Sequence, residues 1–160
     1  MTKTLGVALA AALTFTSCAS RDVRTDLQIV EVQSGWQDIS ESGSLTIKIV
    51  PAISFKLKNV SLAPIDGVQI TAVFRRDQDP ANVDDPFVRA IGSANPLTPG
   101  ATTGPIVMRS KFGFTGTDSR RQLLKHSKFV DFNVTILGKH GRNNWAPMGV
   151  FPIDRVPMSR

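Results

Sequence analysis

The sequence predicts an all-β domain, an antiparallel sandwich of seven or eight short strands with one short helix. Three observations carry that prediction. Apolar and polar residues alternate with a period of two over long stretches, which sorts side chains onto the two faces of a strand. The runs are short, and clusters drawn from the chain's ten Pro and twelve Gly, with Asn and Asp, separate them; these residues supply turn geometry. Only one segment carries helical capping and spacing. The 160 residues, 41% hydrophobic and 20% charged, suit one domain with a real core and exclude a disordered tail or a coiled coil.

The chain opens on Met1-Thr2-Lys3-Thr4, continues with an apolar run from Leu5 to Phe15, and then turns small at Thr16–Ser20. The run is too short to span a bilayer as a helix. A charged start, a short apolar middle and a small-residue exit describe a secretory signal over residues 1–17. Two cleavage readings stand side by side. Phe15-Thr16-Ser17-Cys18 resembles the lipobox of bacterial lipoproteins, in which the Cys becomes the acylated first residue of the mature chain; Phe15 stands where that family usually has an aliphatic residue. Ordinary cleavage after Ala19 is the alternative. In both, the chain's single Cys lies outside the folded domain, so an internal disulfide and a multi-thiolate zinc site are excluded. The lipoprotein resemblance implies an anchor on a membrane surface. Ala19 after the Cys, in place of Asp, resembles lipoproteins sent on to the outer membrane, facing the periplasm.

Residues 18–26 read as the lipidated Cys and a polar tether, and 27–160 as the sandwich. Leu27–Trp36 is the first strand. Leu45, Ile47, Ile49, Pro51, Ile53, Phe55 and Leu57 then alternate with Thr46, Lys48, Val50, Ala52, Ser54, Lys56 and Lys58, which gives one core face and one largely wet face. Pro51 lacks the N–H of a central ladder, so this strand is expected at an edge or bent near its middle. Pro64-Ile65-Asp66-Gly67 is a turn. Val68, Ile70, Ala72 and Phe74 form the core face of the next strand. Phe87–Gly92 and Ile106–Ser110 follow. Thr117–His126 offers Thr or Asp as a helix cap with helix formers behind it. Phe129–Leu137 and Met148–Ile153 pair through the polar loop 138–144 as a hairpin.

Ile53–Asp77, followed by Pro96-Leu97-Thr98-Pro99-Gly100, resembles the small immunoglobulin-like sandwiches of bacterial envelope proteins, most nearly the FxLYD-type domains. Lys58-Asn59, Phe74 and Asp77 occupy places comparable to that family's strand end, aromatic and acid. The Asp77–Pro86 insertion and the absence of Tyr depart from it, and no Tyr means no tyrosine corner. The resemblance implies an immunoglobulin-like fold and a binding or spacer module. It transfers no catalytic residue.

Few residues fall into a pattern that carries chemistry. No hydrolase, zincin, phosphate-loop or dinucleotide fingerprint is present, no Ser carries a nucleophile motif, and the chain is expected not to be an enzyme and to need no cofactor. Asp77, Asp79, Asp84 and Asp85 could offer oxygens to Ca²⁺, although a solvated loop accounts for them. His126 and His140 with Met108, Met148 and Met158 hold donor types suited to copper, but no local spacing groups them. A periplasmic ligand- or metal-binding domain built on either set is thus the alternative function. Charge is the more informative surface feature. The chain carries net +6, and residues 109–160 hold ten basic and three acidic side chains. Arg120, Arg121, Lys125 and Lys128, with Lys139 and Arg142 on the hairpin loop, are the candidate basic face for an envelope protein or an anionic surface; the same charges also serve as a plain solvated helix and loop tip. Nucleic acid is not expected behind an export signal. The expected function is a membrane-anchored cell-envelope lipoprotein acting as a non-enzymatic interaction or scaffold module, through this face or through an exposed sheet edge.

Overall fold

The structure, a computed structural model, describes residues 21–159. The order of elements is α1 (Val23–Asp26), β1 (Leu27–Asp38), β2 (Ile47–Asn59), β3 (Val68–Arg76), β4 (Asn82–Asp84) and β5 (Phe87–Ile91). Then come β6 (Ile106–Arg109), β7 (Phe114–Gly116), α2 (Arg120–Lys125), β8 (Phe132–His140), β9 (Ala146–Pro152) and β10 (Pro157–Met158). They form two sheets. One has the order β10-β1-β2-β6, with β7 continuing the β6 side of β2; the other has the order β4-β3-β8-β9, with β5 continuing the β4 side of β3. Strand neighbours β1-β2-β6 and β3-β8-β9 reproduce the A-B-E and C-F-G order of an immunoglobulin-like sandwich. The expected all-β fold is present. Three strands of two or three residues, β4, β7 and β10, were not visible as patterns, and the β1–β10 pair is parallel.

The core lies between the sheets and follows from the alternation. Ile49, Ile53, Phe55 and Leu57 of β2 face Val68, Ile70 and Phe74 of β3 and Val134 and Ile136 of β8 across the gap, all essentially buried. Each end of the sandwich is closed by a short helix. At one end Val23 of α1 enters the core, and a Cβ on Gly138 would sit 3.3 Å from its side chain and 2.5 Å from Met148 Sδ, so glycine makes room for it. At the other end Ser119 and Gln122 form a capping box for α2 and turn Leu124 inward. Beside it Trp36 contacts Phe114, Phe129 and Phe132 with ring centroids 5.5, 4.7 and 5.5 Å away.

Several expectations are corrected. Pro51 does not mark an edge: β2 is the central strand of its sheet. Pro51 O accepts from Ser110 N–H, so its backbone faces the β6–β7 side, where the partner strand breaks between Arg109 and Phe114. The missing donor is absorbed by that break. Leu45 is 92% exposed because the strand begins only at Ile47. The wet face expected of β2 is dry at its middle, where Val50 and Ala52 are buried and Arg109 Nη1 donates to Gln37 Oε1 at 3.1 Å above them. The tether expected over residues 21–26 is folded structure: Asp22 caps α1, and Val23 is a core residue.

Asn59, completely buried, knits two loops to the end of β2. Its Nδ2 donates to Ala63 O (2.9 Å) and Leu97 O (2.8 Å), and its Oδ1 accepts from the Ser61 N–H (2.9 Å) and hydroxyl (2.8 Å). Asn59→Ala leaves these groups short of partners and is expected to cost about 2 kcal/mol, read as a lower urea midpoint; a change under about 0.5 kcal/mol would show that water replaces the side chain.

Candidate interaction surface

The basic residues singled out above do not share one face. Arg120, Arg121 and Lys125 lie on α2, and Lys128 precedes β8. Lys139 is near the far end of β8, and Arg142 is in the loop beyond it. Seven residues of β8, Phe132–Gly138, lie between the two groups, about 23 Å of extended strand. At the α2 end the cations are partly offset. Arg120 Nε stands 3.5 Å from Asp38 Oδ2, and Arg155 binds Asp131 at 2.7 Å, whose carboxyl it holds below the usual carboxylate range.

At the opposite end the chain's first described residues fold against the β8–β9 hairpin. Asn143 Nδ2 donates to Arg21 O at 3.0 Å, and the Arg21 guanidinium donates to Pro64 O. Arg24 Nε lies 3.0 Å from both Asp22 carboxylate oxygens, and those hydrogen bonds lower the Asp22 pKa to about 2. His140 Nε2 is 3.6 Å from Asp66 Oδ1. Arg21, Arg24, Lys139, Arg142 and Trp145 border an open concavity of about 490 Å³.

The outer face of the second sheet was missed by sequence reasoning. Strand register sets its rows: Phe87, Thr71, Leu137 and Pro147 align across four strands, and Arg89, Gln69 and Lys139 form the next row. Val73, Thr135 and Val150 lie on the other side of the apolar row, followed by Arg75 and Asn133. Phe87 is 57% and Val150 66% exposed. Trp145 joins the face at its corner, edge-on to Phe87 at 6.1 Å with Lys139 Nζ 4.8 Å over its ring. No carboxylate lies in these rows. Among the described residues none forms an ion pair with Arg75, Arg89 or Lys139. Period-two reading gives each strand's outward residues, but the register that lines them up is long-range information.

The metal candidates are dispersed. Asp77 accepts from Asn133 Nδ2, Asp79 from Ala81 N–H and Asp84 from Lys111 N–H, so the carboxylates engage separate partners. His126 sits at the C-cap of α2 and His140 at the other end of β8; Met108 is in the core, Met148 on β9 and Met158 on β10. Among the described residues no three His, Cys, Asp or Glu side chains come together at a spacing that could hold a metal, and no helix is long and apolar enough to cross a membrane. Cys18 lies outside the described residues.

No protein-family model matches the chain, and no curated protein matches it. Among solved structures it is similar to the protein determined as Northeast Structural Genomics Consortium target SoR45, with a TM-score of 0.44 and 9% identity over 82% of this chain and 89% of that one.

Proposed function

We propose that the chain is a cell-envelope lipoprotein, anchored through Cys18 to the periplasmic side of the outer membrane, whose sandwich is a non-enzymatic interaction module. The observation that carries the reading is the run from Leu5 to Ser20, in which the only Cys of the chain falls at the acylation position of a lipobox. The resemblance of Ile53–Asp77 to envelope sandwich modules supports it. So does an outer sheet face that presents aromatic, aliphatic and cationic groups together, a composition suited to recognition.

The test is fractionation of the full chain against Cys18→Ser. The parent protein is expected in the membrane fraction and the variant in the soluble periplasmic fraction, with acyl mass present only on the parent. Soluble parent protein with residues 1–19 removed would overturn the anchor and establish ordinary signal cleavage.

A further inference from the structure

We propose that the outer face of the β4-β3-β8-β9 sheet lies against the bilayer that holds the anchor, binding anionic phospholipid headgroups. This inference rests on the lipoprotein reading above and adds to it the orientation of the domain.

Three observations converge on this face. The first is composition. Exposed Phe87 and Val150 form an apolar strip with Leu137, flanked by Arg89 and Lys139 on one side and Arg75 on the other. Apolar groups that enter the acyl boundary while cations reach phosphates describe interfacial binding. Trp145 stands at the corner, and its amphipathic ring suits the headgroup level. The second is charge complementarity. Its cations carry no paired carboxylate among the described residues. Arg75 has only neutral partners, Asn82 Oδ1 at 2.9 Å and Thr135 Oγ1 at 3.3 Å. An anionic surface supplies the missing counter-charge, favouring each nearby cation about fivefold.

The third observation is reach. Arg21 is held to the β8–β9 loop through Asn143, and it borders the same concavity as Lys139 and Trp145. Only Ala19 and Ser20 separate it from Cys18, a span of at most about 11 Å. An acylated Cys18 therefore holds the Trp145 corner close to the membrane. From that corner the outer sheet face can settle onto the headgroups, leaving the α2 end and the other sheet open to the periplasm. The carboxylates at this end do not oppose the arrangement: Asp22 is closed by Arg24, and Asp66 faces His140.

The experiment places one thiol on each sheet at sites of similar exposure, Val150→Cys (66%) and Val107→Cys (55%). The full-length lipoproteins are reconstituted in phosphatidylcholine vesicles with or without phosphatidylglycerol, and labelling by a membrane-impermeant maleimide is timed. With phosphatidylglycerol, position 150 is expected to label about tenfold more slowly than position 107. The ratio is expected to approach one in detergent, in high salt, or when Arg89→Glu and Lys139→Glu are added. Vesicle-bound protein whose two positions label equally in phosphatidylglycerol would overturn the orientation while leaving the anchor intact. Protein that does not float with the vesicles and carries no acyl mass would overturn the anchor, and the orientation with it.

Discussion

Trp36→Ala is expected to lower folding stability by about 4 kcal/mol, a large share of the roughly 5–15 kcal/mol that holds a domain together. Trp36 is 1% exposed and sits where three separate parts of the chain meet: Phe114 from β7, Phe129 from the loop after α2, and Phe132 from β8. The first contact is within its own sheet and the third with the opposite sheet, so the indole closes that end of the sandwich. Truncation leaves a cavity that none of the three rings can fill without leaving the other two. Trp36→Phe is a sharper companion. The indole Nε1 is buried without a hydrogen-bond partner, so phenylalanine removes an unsatisfied donor while keeping an aromatic body. It is expected to cost under half as much as alanine. Urea unfolding of the two variants beside the parent checks both values. An alanine effect below about 1.5 kcal/mol would mean that the end of the sandwich collapses around the gap.

Gly113→Ala is expected to cost about 3 kcal/mol, unusual for one added methyl. An added Cβ would stand 1.9 Å from Ile49 O and 2.8 Å from Val50 Cα. Both are backbone atoms of the central strand β2, which is paired along its other side with β1 and cannot retreat. The chain must lift instead, drawing Phe114 away from Trp36 and breaking the pairing of β7 with Ile47–Ile49. Gly104→Ala is the control. Its Cβ meets nothing within 4 Å, and the smaller unfolded-state entropy makes it neutral or slightly stabilising. Thermal melts of the pair are expected to separate clearly; equal melting temperatures would show that the segment 110–113 adapts.

Most long strands were legible because each buries a full face against the opposite sheet. Ile47–Leu57 and Val68–Phe74 carry that requirement in every second residue. The α2 helix was legible from the helix formers of its segment, and its observed bounds, Arg120–Lys125, fall inside it; its cap is Ser119, whose hydroxyl accepts from the Gln122 N–H, and not the expected Thr117 or Asp118. What sequence could not supply was pairing. Read locally, Pro51 signals an edge or a bend, whereas its consequence appears in the neighbouring strand, which breaks opposite it. Val23 reads as part of a polar segment because one apolar residue among charges has no periodicity. The polarity of Lys139 and His140 points to a loop, yet they pair with Gln69 and Val68. The candidate surface was legible only in fragments. Lys139 is legible as a cation, but the neighbours that give it meaning are joined to it by the fold: Arg89 and Phe87 through strand register and Trp145 through its ring contact.

The interrupted borders of the two sheets bear on how closely copies of the chain can crowd together. Beside β2 the border is two pieces of four and three residues, and beside β3 two pieces of three and five. On its outer side β1 is covered by the two-residue β10 only at Trp36 and Gln37, and its uncovered part has a register shift between Val30 and Gln33, with Glu31 in a left-handed conformation at φ 51°. The border strand β9 carries Pro147 and ends on Pro152. Every side of the sandwich is therefore a poor template for a foreign strand. Molecules held by the proposed anchor would meet at high local concentration on a two-dimensional surface, and with these borders such encounters would not propagate into β-linked fibres.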